Sequence, residues 1–352
     1  MRSALVTVVV TIAAGLVAGC SAPEATVLDS RAPTGTPSRT IAESSPSPAE
    51  ASTTISPSEA DGAAALCSSS ATDVLGAIEN PTLTETSGLV ASRSHPDVLW
   101  AHNDGPDGAG VYGLRSDGGD LGFHPLTGID AVDVEDVAIV AGPTGDDLVL
   151  ADIGDNALRR DTIRLYRFAE PDPDRPAPVE SVQILEFTYP DGSHNAETLL
   201  VDQRNGRFVV VTKEQAPVDG QADPFGTTRP SFVFEGELDS SAAELRLAGI
   251  LDTVALEAMN TDASHPASLL GFGGVPTGGD VAADGSLVAV RTYEAVWVWQ
   301  RRPGQSVADA LFEVPCQVRT VSERQGEAVA FLGDGLITLG EGAGTELHAL
   351  GR

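Results

Sequence analysis

One pattern recurs from Ser87 to the end of the chain and limits what it can fold into. A small or acidic residue opens an apolar run, a turn follows, and a second apolar run ends in an acid. The opening elements are Ser87-Gly-Leu-Val-Ala, Glu135-Asp-Val-Ala-Ile, Glu197-Thr-Leu-Leu-Val, Gly279-Asp-Val-Ala-Ala and Glu327-Ala-Val-Ala-Phe. The second runs close at Asp104, Asp155, Glu214, Glu294 and Glu341. Further β-branched and aromatic runs, such as Ile163–Phe168, Phe232–Leu238 and Val296–Trp299, follow in most units. Short runs of this composition between Gly, Asp and Asn turns read as strands. None holds a helical period over three turns, so a helical layer is not expected.

The steps from Ser87 to Glu135 and from Gly279 to Glu327 are both 48 residues. Four strands at that spacing match one blade of a β-propeller. A β-sandwich also alternates strands, but it does not require the same acid–apolar–turn–apolar–acid unit each time. The reading is therefore an all-β chain, a propeller of four-stranded blades over residues 83–352. The step from Glu197 to Gly279 is 82 residues, so five blades are counted and six is the alternative. The last unit is short of a strand, which the N-terminal segment near Cys67 could supply. Trp297 and Trp299 alternate in one run, so both project to one sheet face, where packing between blades is expected.

Ahead of the repeats, Met1-Arg2 leads a 15-residue apolar run, Ala4–Ala18, that ends in Leu16-Val-Ala-Gly-Cys20. A charge, a short apolar stretch and small residues before a cleavage point describe an export signal. The run is shorter than the roughly 20 residues that cross a bilayer. The pentapeptide resembles the bacterial lipobox, which implies a signal peptide over residues 1–19 and lipidation of Cys20. The expected location is the extracytoplasmic face of the cell membrane, held there through the lipid alone. Residues 20–65 are rich in Ser, Thr, Pro and Ala without periodicity, so they cannot bury enough apolar surface to offset ordering. Such a tether reaches about 35–40 Å. Residues 66–82 then form a short helix and closure segment, with Val74, Leu75 and Ile78 at helical spacing. Outside the cytoplasm the two remaining thiols, Cys67 and Cys316, are expected to pair; two buried free thiols are the other outcome.

The chain carries 21 Lys+Arg against 51 Asp+Glu, a formal net charge of −30. Nucleic acid is thereby excluded as a partner, because phosphate binding needs a basic surface. So is docking on anionic lipid through a basic patch. A monomer is expected.

In a blade the innermost strand and its neighbour run antiparallel, so the start of one lies beside the end of the other. The repeat thus gathers Glu135, Glu197, Asp280 and Glu327 with Asp104, Asp155, Glu214, Glu294 and Glu341 at one end of the central channel. Asn103, Asn156 and Asn195 join them. Carboxylates so crowded repel one another. Some must be protonated, paired with Lys213 or Arg291, or neutralised by a cation. Oxygen donors of these types suit Ca²⁺, whereas His102 and His194 are too few and scattered for zinc. The candidate ligands are Glu135, Asp155, Asn156, Glu197, Asp280 and Glu327. Candidate ligand-binding residues are Asn103, Asp104, Glu214, Arg291, Glu294 and Glu341. The same acids could instead cap turns at strand ends. His102, beside Asp104, is either a general base on the channel face or a structural histidine. Asp152-Ile-Gly-Asp-Asn-Ala is too short for an EF-hand and reads as a turn.

Asp133-Val-Glu-Asp-Val-Ala, Ala151-Asp-Ile-Gly-Asp-Asn, Asn195-Ala-Glu-Thr-Leu, Gly278-Gly-Asp-Val-Ala and Gln325-Gly-Glu-Ala-Val resemble exported β-propeller lipoproteins of high-GC Gram-positive bacteria, over about residues 83–352. More distantly they resemble esterase-like phytase, SdiA-regulated and gluconolactonase-type propellers. The gluconolactonase resemblance implies one divalent cation at the channel mouth, with Glu135, Asn156, Glu197 and Asp280 able to supply the donor types. Two functions follow from different classes. One is a lipid-tethered module that binds a small molecule or protein partner, with or without Ca²⁺, on its acidic channel face. The alternative is a Ca²⁺-dependent hydrolase of a lactone, ester or phosphoester, with His102 or Asp104 in the chemistry.

Overall fold

The computed structural model describes residues 62–105, 109–215, 231–240, 242–261 and 273–351, with the backbone alone at Glu214 and Gln215. All lie within the unit from Thr54 to Arg352. The signal peptide, the Cys20 lipidation site and residues 20–61 lie outside the described residues. The first described elements are helix α1 (Gly62–Ser68) and strand β1 (Thr72–Ala77). Here the helical spacing of Val74, Leu75 and Ile78 misled. The segment is an edge strand, because pairing with an open sheet edge satisfies its backbone, which a six-residue helix in water cannot do.

Five sheets follow. The first blade is β2 (Thr86–Ala91), β3 (Val98–Asn103), β4 (Gly110–Arg115) and β5 (Asp120–Pro125). The second is β6 (Val134–Ala141), β7 (Asp146–Asp152), β8 (Ile163–Ala169) and β9 (Gln183–Thr188). In the third, β10 (Ala196–Asp202), β11 (Arg207–Gln215) and β12 (Ser231–Glu237) are completed by β14 (Arg246–Leu251). The short β13 (Ala242–Glu244) crosses to the outer edge of blade two and pairs with β9 in parallel. Blade four is β15 (Pro276–Val281), β16 (Leu287–Thr292), β17 (Val296–Gln300) and β18 (Cys316–Val318). The last contains β19 (Gly326–Leu332), β20 (Gly335–Gly340) and β21 (Glu346–Leu350), and its outer strand is β1. The innermost strands β2, β6, β10, β15 and β19 adjoin one another in that order and close a ring. The propeller therefore has five blades. The 82-residue step is one blade with an insertion that carries β13 and helix α2 (Thr253–Met259), so the six-bladed alternative falls.

Each blade is buried on both faces, which is why its strands read as unbroken apolar runs. Along β7, Val149 and Ala151 pack toward blade three while Leu148 and Leu150 pack toward blade one. Five such wedges, one per blade junction, make up the core. Trp297 and Trp299 both fill the wedge between blades three and four, as packing residues. Ala63 and Leu66 of α1 enter the wedge between blades four and five. Burying Leu66 contributes roughly 1.5–3 kcal/mol.

Cys67 at the end of α1 is bonded to Cys316 at the start of β18, 249 residues away. The N-terminal segment thus completes blade five through β1 and is tied covalently to blade four. Closure of the ring, expected from the missing strand, is achieved in this way.

Candidate cation site

Strand register decides which side chains reach the channel mouth. Every innermost strand carries an irregularity near its start: between Val134 and Asp136, Ala196 and Thr198, Pro276 and Gly278, Gly326 and Ala328, and Thr86 and Leu89. A bulge leaves an extra residue unpaired and re-aims its side chain. The residues placed there are Ser87, Glu135, Glu197, Thr277 and Glu327. On the neighbouring strands the last paired residues are Asn103, Asp152, Thr212, Thr292 and Gly340. Of the residues that follow them, Asp104, Lys213 and Glu341 reach the mouth and Tyr293 lies beside Lys213, whereas Ile153 turns into the core between blades two and three.

Three of the expected metal ligands, Glu135, Glu197 and Glu327, are accordingly brought together with Asp104 and Glu341 around one cavity of about 60 Å³. Lys213, Ser87 and Glu85 also line it. Space of that size holds a few water molecules. Asp133 completes the group, since Asp104, Asp133 and Glu135 each offer a carboxylate oxygen within 4.8 Å of the others. A bridge between Gly105 and Val134 carries Asp104 to this place. Asp133 was missed in the sequence because it sits in the loop ahead of β6 rather than in the repeating slot. That loop is shaped by buried Asp152, which accepts from the Val132 and Asp133 backbone N–H groups at 3.2 and 2.9 Å and pairs with Arg160 at 2.7 Å.

Other candidates do different work. Asp280 accepts from Val281 N and Phe331 N, each at 2.8 Å, latching β15 to β19. Asp136 does the same from Val137 N and Leu199 N at 2.8 and 2.7 Å, latching β6 to β10. Asp155 caps the turn after β7, accepting from Arg159 N and Arg160 N at 2.6 Å each. Asn195 accepts from Asp155 N at 2.6 Å, and exposed Asn156 accepts from Asn195 at 3.3 Å. Asn103 holds the preceding loop, accepting from Thr84 N and Glu85 N and donating to the Thr82 carbonyl. Arg291 is buried against Glu323 at 2.6 Å, with Thr338 and His348 on the same carboxylate, and takes no part at the mouth. Glu294 accepts from Asn260 near α2. The Glu214 side chain lies outside the described residues. His102 is 1% exposed, its Nδ1 lies 2.9 Å from the Asn103 carbonyl, and it does not line the cavity. Burial pushes it down to about 4, so it is a neutral structural histidine and not a channel-facing base.

At the mouth, Lys213 pairs with Glu197 and lies 5.7 Å from the centroid of the Tyr293 ring. Gln325 donates to Glu327 at 2.6 Å. Glu135 is 2% exposed. Ser87 Oγ donates to its carbonyl at 2.8 Å and lies 3.5 Å from Oε2, while Oε1 has no partner among the described residues. Asp104 Oδ1 is likewise buried without one. A Cβ on Gly154 would lie 2.2 Å from Glu135 Oε1 and 2.6 Å from Asp133 Oδ2. Only glycine leaves these two carboxylates their place.

Burial, with Asp133 and Glu197 beside it, pushes Asp104 up to about 7. Burial and the neighbouring carboxylates hold Glu135 and Glu327 well above the usual range. Burial also raises Asp136, and takes Asp280 to about 7. For Lys213 burial acts downward, but Glu197 and Glu135 outweigh it and keep the ammonium charged. These shifts have a sign for stability. Between about pH 4 and 7 the unfolded chain releases protons that the folded one keeps, so stability falls as pH rises. Buried neutral His102 opposes this, its contribution being lost below about pH 6.5. The raised carboxyls, to which Asp133 and Glu197 also belong, outweigh it, each unit being worth about 1.4 kcal/mol. The cation-free protein should therefore melt at least about 5 °C higher at pH 5.5 than at pH 8. Differential scanning calorimetry in EDTA checks this, and a higher melting temperature at pH 8 contradicts it.

No protein-family model matches the chain, and no curated protein matches its sequence. Solved structures similar in shape include luciferin-regenerating enzyme, 11% identical over 80% of this chain and 94% of that one, with a TM-score of 0.42. Glucose dehydrogenase is 10% identical over 80% and 99%, also at 0.42. Both are propellers. A nidogen/laminin complex is 11% identical over 73% of each chain, at 0.40. At these identities the likeness concerns the fold alone.

Proposed function

We propose that this is a lipid-anchored, extracytoplasmic propeller that holds one Ca²⁺ at the acidic mouth of its channel and presents it to a ligand. The observation that carries the reading is Glu135 Oε1, buried, without a partner among the described residues, and within reach of the Asp104 and Asp133 carboxylates. A desolvated carboxylate in that position must either keep a proton or meet a cation. The donors are all oxygens, the ligand type that Ca²⁺ takes. Ca²⁺ takes about six to eight oxygens. Three carboxylates leave positions for water or a ligand, and the cavity has room for both.

Charge limits what that ligand can be. A divalent ion and Lys213 supply three positive charges against the carboxylates of Glu85, Asp104, Asp133, Glu135, Glu197, Glu327 and Glu341. The mouth stays negative, so phosphorylated and carboxylate ligands are repelled and neutral or cationic ones favoured. The second reading, a Ca²⁺-dependent hydrolase, is favoured by the open coordination positions and is narrowed to neutral lactones and esters. Bound Ca²⁺ would polarise a carbonyl oxygen there. Asp104 and Glu135 would orient the ion, and Lys213 would stay engaged with Glu197.

Millimolar CaCl₂ should raise the melting temperature of the EDTA-treated protein, since ligand at about 100 times its Kd adds about 2.7 kcal/mol. No shift and no heat on titration would overturn the reading. If Ca²⁺ binds, turnover of neutral lactones or aryl esters selects the hydrolase, and its absence leaves the binding module.

A further inference from the structure

Among the described residues that line the cavity, six carry carboxylates and Lys213 alone carries a positive charge. The backbone fixes its place. Lys213 N donates to the Asn195 carbonyl at 3.0 Å, as Asp104 N does to Glu85 at 2.7 Å and Glu341 N to Gln325 at 2.9 Å. Blades one and five thus put a carboxylate in this slot, and blade three an ammonium. That ammonium pairs with buried Glu197 and lies over the Tyr293 ring. Its charge acts on Asp104, Asp133 and Glu135, the proposed ligands, as well as on Glu197 and Glu327.

We infer that Lys213 sets how tightly the mouth holds its ion, keeping Ca²⁺ weakly bound and free to exchange. The inference rests on the Ca²⁺ site proposed above and concerns the regulation of that site. A divalent ion entering between Asp104, Asp133 and Glu135 meets a fixed unit charge on the wall of the same cavity of about 60 Å³. Charges that close, within a Debye length of about 8 Å and partly buried, are little screened by salt. The ammonium also neutralises Glu197, whose carboxylate would otherwise add to the pull on the ion. Ligand charge is one of the means by which Ca²⁺ sites are tuned, from about 10⁻⁷–10⁻⁵ M in sensors to about 10⁻⁴–10⁻³ M in extracellular modules. Lys213 moves this site toward the weak end, where occupancy follows the calcium outside the cytoplasm.

Removing the charge should therefore tighten the ion. Titration calorimetry of the EDTA-treated full chain with CaCl₂ is expected to show Lys213→Met binding at least about tenfold tighter than the wild type. Lys213→Arg, which keeps the charge, should stay within about threefold. In Lys213→Met/Glu197→Gln, where the unmasked carboxylate is lost as well, most of the gain should disappear. A lysine needed only for packing would give the opposite sign, because a damaged mouth holds an ion less well. Lys213→Gln, which keeps a donor for Glu197, is a second neutral variant with the same expectation. Affinity no higher than the wild type's in a folded neutral variant, or a gain that Lys213→Arg shares, would overturn the inference. A wild type that binds no Ca²⁺ would instead remove the site itself, so the two failures are distinguishable.

Discussion

Glu135→Gln should abolish Ca²⁺ binding and at the same time stabilise the cation-free protein. The two effects have one cause. In the fold, Glu135 is buried, with Glu197 and Asp104 beside it and no donor on Oε1. Holding a carboxyl protonated at neutral pH costs about 1.4 kcal/mol for each unit its pKa is raised. Glutamine has the same shape, needs no proton, and offers N–H donors to Asp104 and Asp133. A gain of about 2 kcal/mol, or roughly 4–8 °C, is expected. Loss of a primary carboxylate should weaken Ca²⁺ by more than the roughly 10–100-fold typical of an outer-shell change. Calorimetry reads the affinity, and thermal melting in EDTA reads the stability. An unchanged affinity would remove Glu135 from the site, and a lower melting temperature in EDTA would contradict its strain. The opposition of function and stability is the pattern expected where a site is built from groups the fold does not otherwise tolerate.

The second large effect concerns closure of the ring. Replacing Cys67 and Cys316 by serine should destabilise the protein by about 3–5 kcal/mol, toward the upper end for a natural disulfide because the closed loop is so long. At roughly 2–4 °C per kcal/mol, the melting temperature should fall by about 6 °C or more. The loss should also be local. Strand β1 is an edge strand whose burial alternates weakly and whose Val74 is 58% exposed, so pairing with β21 is its main hold. Without the tie to β18 its amides should exchange first, ahead of those in β2 to β20. Hydrogen exchange by mass spectrometry checks this. Equal protection of β1 in the serine variant and the wild type would mean that the disulfide has no part in closure.

The architecture was legible because a propeller blade is apolar on both faces, so each strand reads as an unbroken run and each blade repeats the last. Blade count was not, because an insertion and a degenerate blade leave the same gap between Glu197 and Gly279. The site was half legible. Glu135, Glu197 and Glu327 stand in the bulged slots and were found from the repeat. Blade four misled: its bulge falls at Thr277, so Asp280 enters the wall below the mouth and becomes a latch. The strand-end acids were displaced in the same way. Register puts Lys213 and Tyr293 at the mouth, one position before Glu214 and Glu294, and turns Ile153, two before Asp155, into the core. A bulge depends on backbone hydrogen bonds that a pattern of residue types does not encode. Arg291 looked like a counter-ion for the mouth. It is paired across the ladder with Gly278, one step inside the ring, and meets Glu323 instead.

All of this depends on carboxylates from blades one and two sharing one ion. Crystals grown in CaCl₂, with an anomalous difference map, test that directly. The account predicts a peak bonded at about 2.3–2.6 Å to Asp104, Asp133 and Glu135, with Lys213 still on Glu197. A crystal at saturating calcium in which those three carboxylates bond to one another, with no peak between them, would contradict it.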